Sequence, residues 1–238
     1  MTVGLPIIEV PRVSHSNLLL TAWTLAVAIV ENSNDILIAN EISGRGSSFP
    51  EVEKLAAFVV TAIPLCVGIH SGTIREHAAL VQSHTIEAMA IQHTINWDEQ
   101  LVSQMETSAY WVLINDEDGY EEPTTEALHL QRTRAEKIGL GMWPFHLTFN
   151  VHPGNTSVEL QALFNTDMVG VDKALRLYAC FKFLVGSIFA PGGLDLKTTE
   201  LVSAVNKLFQ GNGSIMEEVK AVSSIESWFP GPGYNPYS

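Results

Sequence analysis

Residues 145–152 read Phe-His-Leu-Thr-Phe-Asn-Val-His, so Phe145, Leu147, Phe149 and Val151 alternate with His146, Thr148, Asn150 and His152. Strict alternation marks a strand with one apolar and one polar face. Two imidazoles, a hydroxyl and an amide on one face can line a cleft, and an imidazole titrates near neutral pH. The same pattern also suits an antiparallel strand with one face in water. His146 is the strongest candidate for acid, base or hydrogen-bond work, with Asn150 beside it as a binding residue.

Other chemistry-bearing residues resolve into simpler roles. His70, His77 and His84 are spaced by seven. Seven residues of helix rise about 10 Å, whereas each ligand nitrogen of a zinc site lies about 2 Å from the metal. The three are expected as a stripe on a helix face. Asp116-Glu117-Asp118-Gly119 resembles part of a calcium loop, but aligning its glycine puts Ile114 and Thr125 where acidic ligands are required. Gly44-Arg45-Gly46-Ser47 lacks the lysine and spacing of a phosphate-binding loop, and Gly139-Leu140-Gly141 does not complete a dinucleotide fingerprint. Cys66, in an apolar strand context, is expected as a buried small hydrophobe rather than a nucleophile. Neither metal nor cofactor is expected.

The positioning elements are legible in outline. The chain has 238 residues, 46% hydrophobic and 16% charged, which excludes a disordered acidic protein. Its net charge of −13 disfavours nucleic acid and anionic membrane surfaces as partners. Leu18–Val30 is apolar almost all round, the pattern of a helix buried on every side. Ile36–Ile42 fits a central strand. Ala57–Val67 includes another. Ser48 and Glu51 suggest one capping box, and Thr73 with Glu76 a second that opens a long helix to about Ile95. Strands are expected at Tyr110–Ile114, Phe145–Val151 and Val158–Phe164. A helix follows at Asp172–Phe189, broken by Pro191-Gly192-Gly193, with lesser helices at Thr198–Phe209 and Ile215–Ile225. The order predicts an α/β protein, a mixed sheet covered by helices. Apolar stretches at Leu18–Val30 and Leu55–Ile69 are shorter than the ~20 residues of a spanning helix, so a soluble cytoplasmic protein is expected.

Several segments together resemble one family. Ser16–Val30 followed by Asp35–Arg45 is similar to the helix, strand and Ser-Gly-Arg turn that open the C-terminal lobe of nonribosomal peptide synthetase condensation domains. Ala57–Val67, AFVVTAIPLCV, resembles that family's GPFVNTLPLRV segment. Phe145–Val151, Val158–Phe164 and Asp172–Phe189 match its last strands and helix in order. Val112-Leu113-Ile114 with the acidic run resembles fungal members. Leu194-Asp195-Leu196 resembles the start of the linker toward an adenylation domain.

The resemblance implies a single chloramphenicol-acetyltransferase-like lobe over residues 1–190 and a linker-like helical tail over 191–238. The family's catalytic HHxxxDG belongs to its other lobe, and no His-His pair occurs in this chain. Amide formation would therefore lack its general base. The resemblance implies instead a free-standing, truncated enzyme of fungal secondary metabolism. It would bind an apolar polyketide or peptide intermediate and promote cyclisation, such as a cycloaddition, by positioning. The alternatives are a docking module that completes a synthetase and an inactive remnant. A homodimer, or a heterodimer with a missing lobe, would rebuild a two-lobed cleft. In the family, the segments matching Thr61 and Ser43–Arg45 border the tunnel. The expected site is thus His146 and Thr61 as catalytic residues, with Ser43, Arg45, Trp143 and Asn150 binding substrate.

Overall fold

The computed structural model describes residues 2–4, 13–43, 51, 60–92, 110–116, 145–151, 157–164 and 168–211. Helix α1 spans His15–Glu31. Ser14 caps it, its hydroxyl accepting from the Asn17 amide at 3.2 Å. It ends where Asn32 takes a left-handed conformation (φ 51°), with the Asn32 and Ser33 amides donating to the Ile29 and Ala28 carbonyls. That is the double bond of a Schellman turn, and asparagine tolerates the left-handed region well. Every residue from Leu18 to Ala28 is buried, as the all-round apolar pattern predicts. Thr21 and Thr24 survive there because their hydroxyls donate to the Asn17 and Thr21 carbonyls of the same helix, at 2.6 and 2.9 Å.

Six strands form one mixed sheet. They are β1 (Thr2–Gly4), β2 (Asp35–Ser43), β3 (Val60–Gly68), β4 (Tyr110–Asp116), β5 (Phe145–Val151) and β6 (Ser157–Phe164), in the order β1-β6-β5-β4-β2-β3. Strand β4 runs parallel to β2 and β5, while β2–β3, β5–β6 and β1–β6 are antiparallel. Helix α2 spans Ile74–Ala90 and α3 spans Val171–Ile188; a 3-10 turn at Gly193–Asp195 leads to α4 at Thr198–Gly211.

One core joins the sheet to the helices. Ile36 and Ile38 of β2, Leu65 and Val67 of β3, and Val112 of β4 enter it, together with α1, α2, α3 and α4. These strand residues share one parity in the register. Trp23 of α1 sits at the centre, 1% exposed, edge-on to Tyr110 and to Phe181 of α3 with ring centroids 6.1 and 6.0 Å away. At the helix ends Lys173 of α3 forms an ion pair with Glu31 of α1.

Three expectations need correction. Residue 190 is not a boundary. Leu194, Leu201 and Val205 belong to the main core, and the Ile74 and Thr198 amides donate to the Leu196 and Gly72 carbonyls at 2.9 and 3.0 Å. The Thr198 hydroxyl also donates to the His70 carbonyl. Pro191-Gly192-Gly193 makes a tight turn rather than an exit: Gly192 has φ 78°, and a Cβ at Gly193 would meet the Ser187 carbonyl at 2.0 Å. Second, the helix expected to reach Ile95 ends at Ala90, with Ile91 and Gln92 in a turn. Third, Cys66 is exposed, because alternation along β3 sends Ile63, Leu65 and Val67 inward and Cys66 out. The helix expected at Ile215–Ile225 and the capping box at Ser48 lie outside the described residues.

Candidate functional site

Strand β5 lies inside the sheet, with β4 and β6 on either side. Its register defines rows that cross the sheet. His146 pairs with Trp111 of β4 and Leu163 of β6, and Trp111 pairs with Ala39 of β2. Two residues on, Thr148 pairs with Leu113 and Gln161, and Leu113 with Glu41. Asn150 pairs with Asn115 and Glu159. These rows have the parity of Leu37, Ala39 and Glu41 on β2 and of Ala62, Pro64 and Cys66 on β3. None of those six residues belongs to the helix-packed cluster, although Ala39 and Ala62 are themselves buried. Neighbouring strands are about 4.8 Å apart and alternate residues about 6.6 Å apart. The rows of His146, Thr148 and Asn150 therefore cover about 13 Å along the strand, the dimension of a small-molecule cleft.

The register sorts the expected site residues. Ser43 shares the outer parity with His146 and Asn150. Thr61 does not: it pairs with Ile42 and alternates with Ile63, Leu65 and Val67 on the core side. Three strand spacings also separate it from β5. Thr61 and His146, both expected as catalytic residues, thus stand on opposite parities of the sheet. Local sequence cannot reveal that, because strand pairing decides which face a threonine joins. Arg45 and Trp143 lie outside the described residues. Glu41, Asn115, Glu159 and Gln161 hold outer-parity positions that sequence reasoning passed over. The signal was the alternation of Val158, Leu160 and Ala162 with Glu159 and Gln161.

The histidine stripe is shorter than expected. His70 precedes α2, since Thr73 is the N-cap and Gly72 interrupts the helical run. The Thr73 hydroxyl accepts from the Glu76 amide at 3.2 Å and the Glu76 carboxylate accepts from the Thr73 amide at 2.7 Å, closing the predicted capping box. The Thr73 amide, and the Thr73 hydroxyl donating to the same carboxylate at 3.1 Å, hold the Glu76 carboxyl below its ordinary value. His84 bonds through Nδ1 to the Cys66 carbonyl at 3.0 Å. His77 is 3% exposed, and burial, with His70 and His84 nearby, pushes its pKa down to about 4. Among the described residues no group of three or more His, Cys, Asp or Glu could hold a metal ion. Cys180, buried in α3, is pushed up to about 12 by burial, with Arg176 acting weakly the other way.

This arrangement, one lobe of mixed sheet with helices against one parity, is the fold of the condensation and CoA-dependent acyltransferase domains. The X-domain solved in complex with OxyB from teicoplanin biosynthesis matches at TM-score 0.61 and 14% identity, over 84% of this chain and 47% of that one. The condensation domain of the monacolin K polyketide synthase MokA matches at TM-score 0.53 and 13% identity, over 76% and 42%. No family model matches the sequence. Among curated proteins, the nonribosomal peptide synthetase atnA of Emericella nidulans is 22% identical over 80% of this chain. The nonribosomal peptide synthetase vlms of a Lecanicillium species is 25% identical over 88%. The chain spans 3% and 2% of the length of those two relatives. It is condensation-domain-like and similar to fungal synthetases. Among the described residues no helix is long and apolar enough to cross a membrane.

Proposed function

We propose that this chain holds an apolar polyketide or peptide intermediate of fungal secondary metabolism against the outer face of its sheet. There it promotes a cyclisation, with cycloaddition as one form, by positioning. The observation that carries this reading is the run of polar register positions at His146, Thr148 and Asn150, on the parity opposite to Ile36, Ile38, Leu65, Val67 and Val112 of the helix-packed core. A site for an apolar ligand needs a few placed polar groups among apolar walls. Trp111, Leu113 and Leu163 share the rows with them. Holding reacting atoms together contributes about 7–11 kcal/mol in well-oriented cases, so the reaction requires no cofactor. His146 is the acid, base or hydrogen-bond donor of this proposal, and Asn150 and Ser43 bind. Arg45 and Trp143, each two residues from a strand end in sequence, are kept as proposed substrate-binding residues. Thr61 is not carried forward. The setting is cytoplasmic.

The substrate for the test is the intermediate that accumulates on gene deletion. His146→Ala, melting as the wild type does, is expected to lower product formation about 10²-fold or more. Product formation unchanged within about twofold removes His146 from the chemistry, and a loss confined to substrate binding assigns it to uniform binding. Activity retained in both His146→Ala and Asn150→Ala puts the site elsewhere.

A second reading is favoured by extent, since this chain covers 42–47% of the matched two-lobed condensation-type chains above. In it the outer face pairs with a second copy or with a lobe of a synthetase, and the cleft forms between them. Light scattering is then expected to show a dimer, or the synthetase to co-purify. A 26.1 kDa monomer with full activity excludes the pairing.

A further inference from the structure

His77 is 3% exposed, and both its ring nitrogens are buried with no hydrogen-bond partner. A buried imidazole in that state is neutral, and protonating it puts an uncompensated charge in the core. Its position makes the consequence specific. It sits in the first turn of α2, beside Ile74 and Ala78, which enter the main core. The same turn receives the segment after α3. The Ile74 amide donates to the Leu196 carbonyl, the Thr198 amide donates to the Gly72 carbonyl, and Thr73 bridges to Lys197.

Among the described residues, the groups around it supply no counter-charge. His70, in the loop from β3, and His84, two turns along α2, act on His77 with like charge. On its core parity β3 brings Thr61, Ile63, Leu65 and Val67. Helix α1 meets α2 through Ser14 and Asn17, which bond to Gln82, and carries its own ionisable groups at its ends, His15 and Glu31. At the start of β2, Asp35 stands by His70: its Oδ1 and the His70 Nε2 both lie 3.6 Å from where a Cβ at Gly68 would be. On the 3-10 turn, Asp195 is taken by Arg75 at 3.1 Å. Beyond it, Glu200 accepts from the Lys197 amide at 3.2 Å. On α2 itself, Glu76 is committed to Thr73 and Glu87 accepts from Ser83.

We propose that His77 is an acid-responsive latch, whose protonation frees α2 and the clipped segment 193–198 from the body of the lobe. The direction follows from linkage. Above pH 6.5 the imidazole is neutral whether α2 is docked or free. Between pH 6.5 and about 4 the freed state takes up a proton that the docked state refuses, so docking weakens as pH falls through that window and levels off below it. The expected change in the α2 opening equilibrium from pH 7 to pH 4 is about 10²-fold.

Hydrogen exchange of the full chain, corrected for the intrinsic pH dependence of exchange, reads this directly. Peptides from α2 and from 193–198 are expected to lose protection about 10²-fold between pH 7 and pH 4 while α1 peptides keep theirs. In His77→Leu, which leaves His70, His84 and Glu76 in place, α2 is expected to stay protected. Protection of α2 that does not fall relative to α1, or that falls equally in His77→Leu, overturns the latch. NMR titration of the wild type tests it without any variant. The His77 imidazole is expected to titrate well below 6.5, near 4, and a midpoint at or above 6.5 also overturns it.

Discussion

Helices α1 and α2 have the same length, 17 residues, and each begins at a hydroxyl N-cap. They are built on opposite principles. Helix α1 buries eleven consecutive residues, and its two buried threonines satisfy themselves on carbonyls of their own helix. Helix α2 buries five residues on one stripe, and one of these is a histidine with no partner. Along its buried run, Leu18–Ala28, α1 has no solvent face on which to place a titratable group, so the stability of that run is a matter of packing. A one-sided helix leaves room for charge beside its buried stripe, and its docking becomes a matter of conditions as well.

Breaking the packing of α1 tests the first half of that contrast and has the largest expected effect. Trp23→Ala removes a ring that bridges Tyr110 and Phe181, and truncation of a buried aromatic costs about 3–5 kcal/mol. Urea denaturation at neutral pH is expected to show a loss in that range; a loss under about 1 kcal/mol would mean that α1 is not the centre of the core. A smaller effect sharpens the second half. Thr73→Ala opens the capping box of α2 and is expected to lower stability by about 1 kcal/mol. Removing the amide and hydroxyl arrangement that holds Glu76 low also flattens part of the acid response. Glu76 favours the folded chain at neutral pH, and that contribution fades as pH falls through its lowered pKa. A full denaturation series with an unchanged midpoint would place the α2 start outside the cooperative unit.

Helix α1, the capping box of α2 and strand β5 were legible because each is specified by residues close in sequence: an unbroken apolar run, a Thr-x-x-Glu spacing, a clean alternation. Strand β3 was not. In AFVVTAIPLCV the outward positions are Ala62, Pro64 and Cys66, none of them charged, so the alternation that exposes Cys66 is invisible until β2 fixes the register. The same long-range pairing sends Thr61 to the core side and Ser43 to the outer side, so Thr61 and His146 stand on opposite parities. The clip between α2 and residues 193–198 was hidden for a related reason. Pro191-Gly192-Gly193 reads as a break, and only the approach of the Ser187 and Ile188 carbonyls to Gly193 reveals a turn that folds the chain back onto its own core.

The exposed position of Cys66 has a practical side. The chain contains two thiols, and Cys180 lies buried with its pKa pushed up to about 12. Thiolate is the reactive form, so maleimides and spin labels distinguish the two without mutagenesis. Cys66 sits on the outer parity of β3, beside the His84 contact that fastens α2. A dye attached there reports from the sheet face where the proposed ligand would lie, within one helix diameter of the helix whose docking responds to acid.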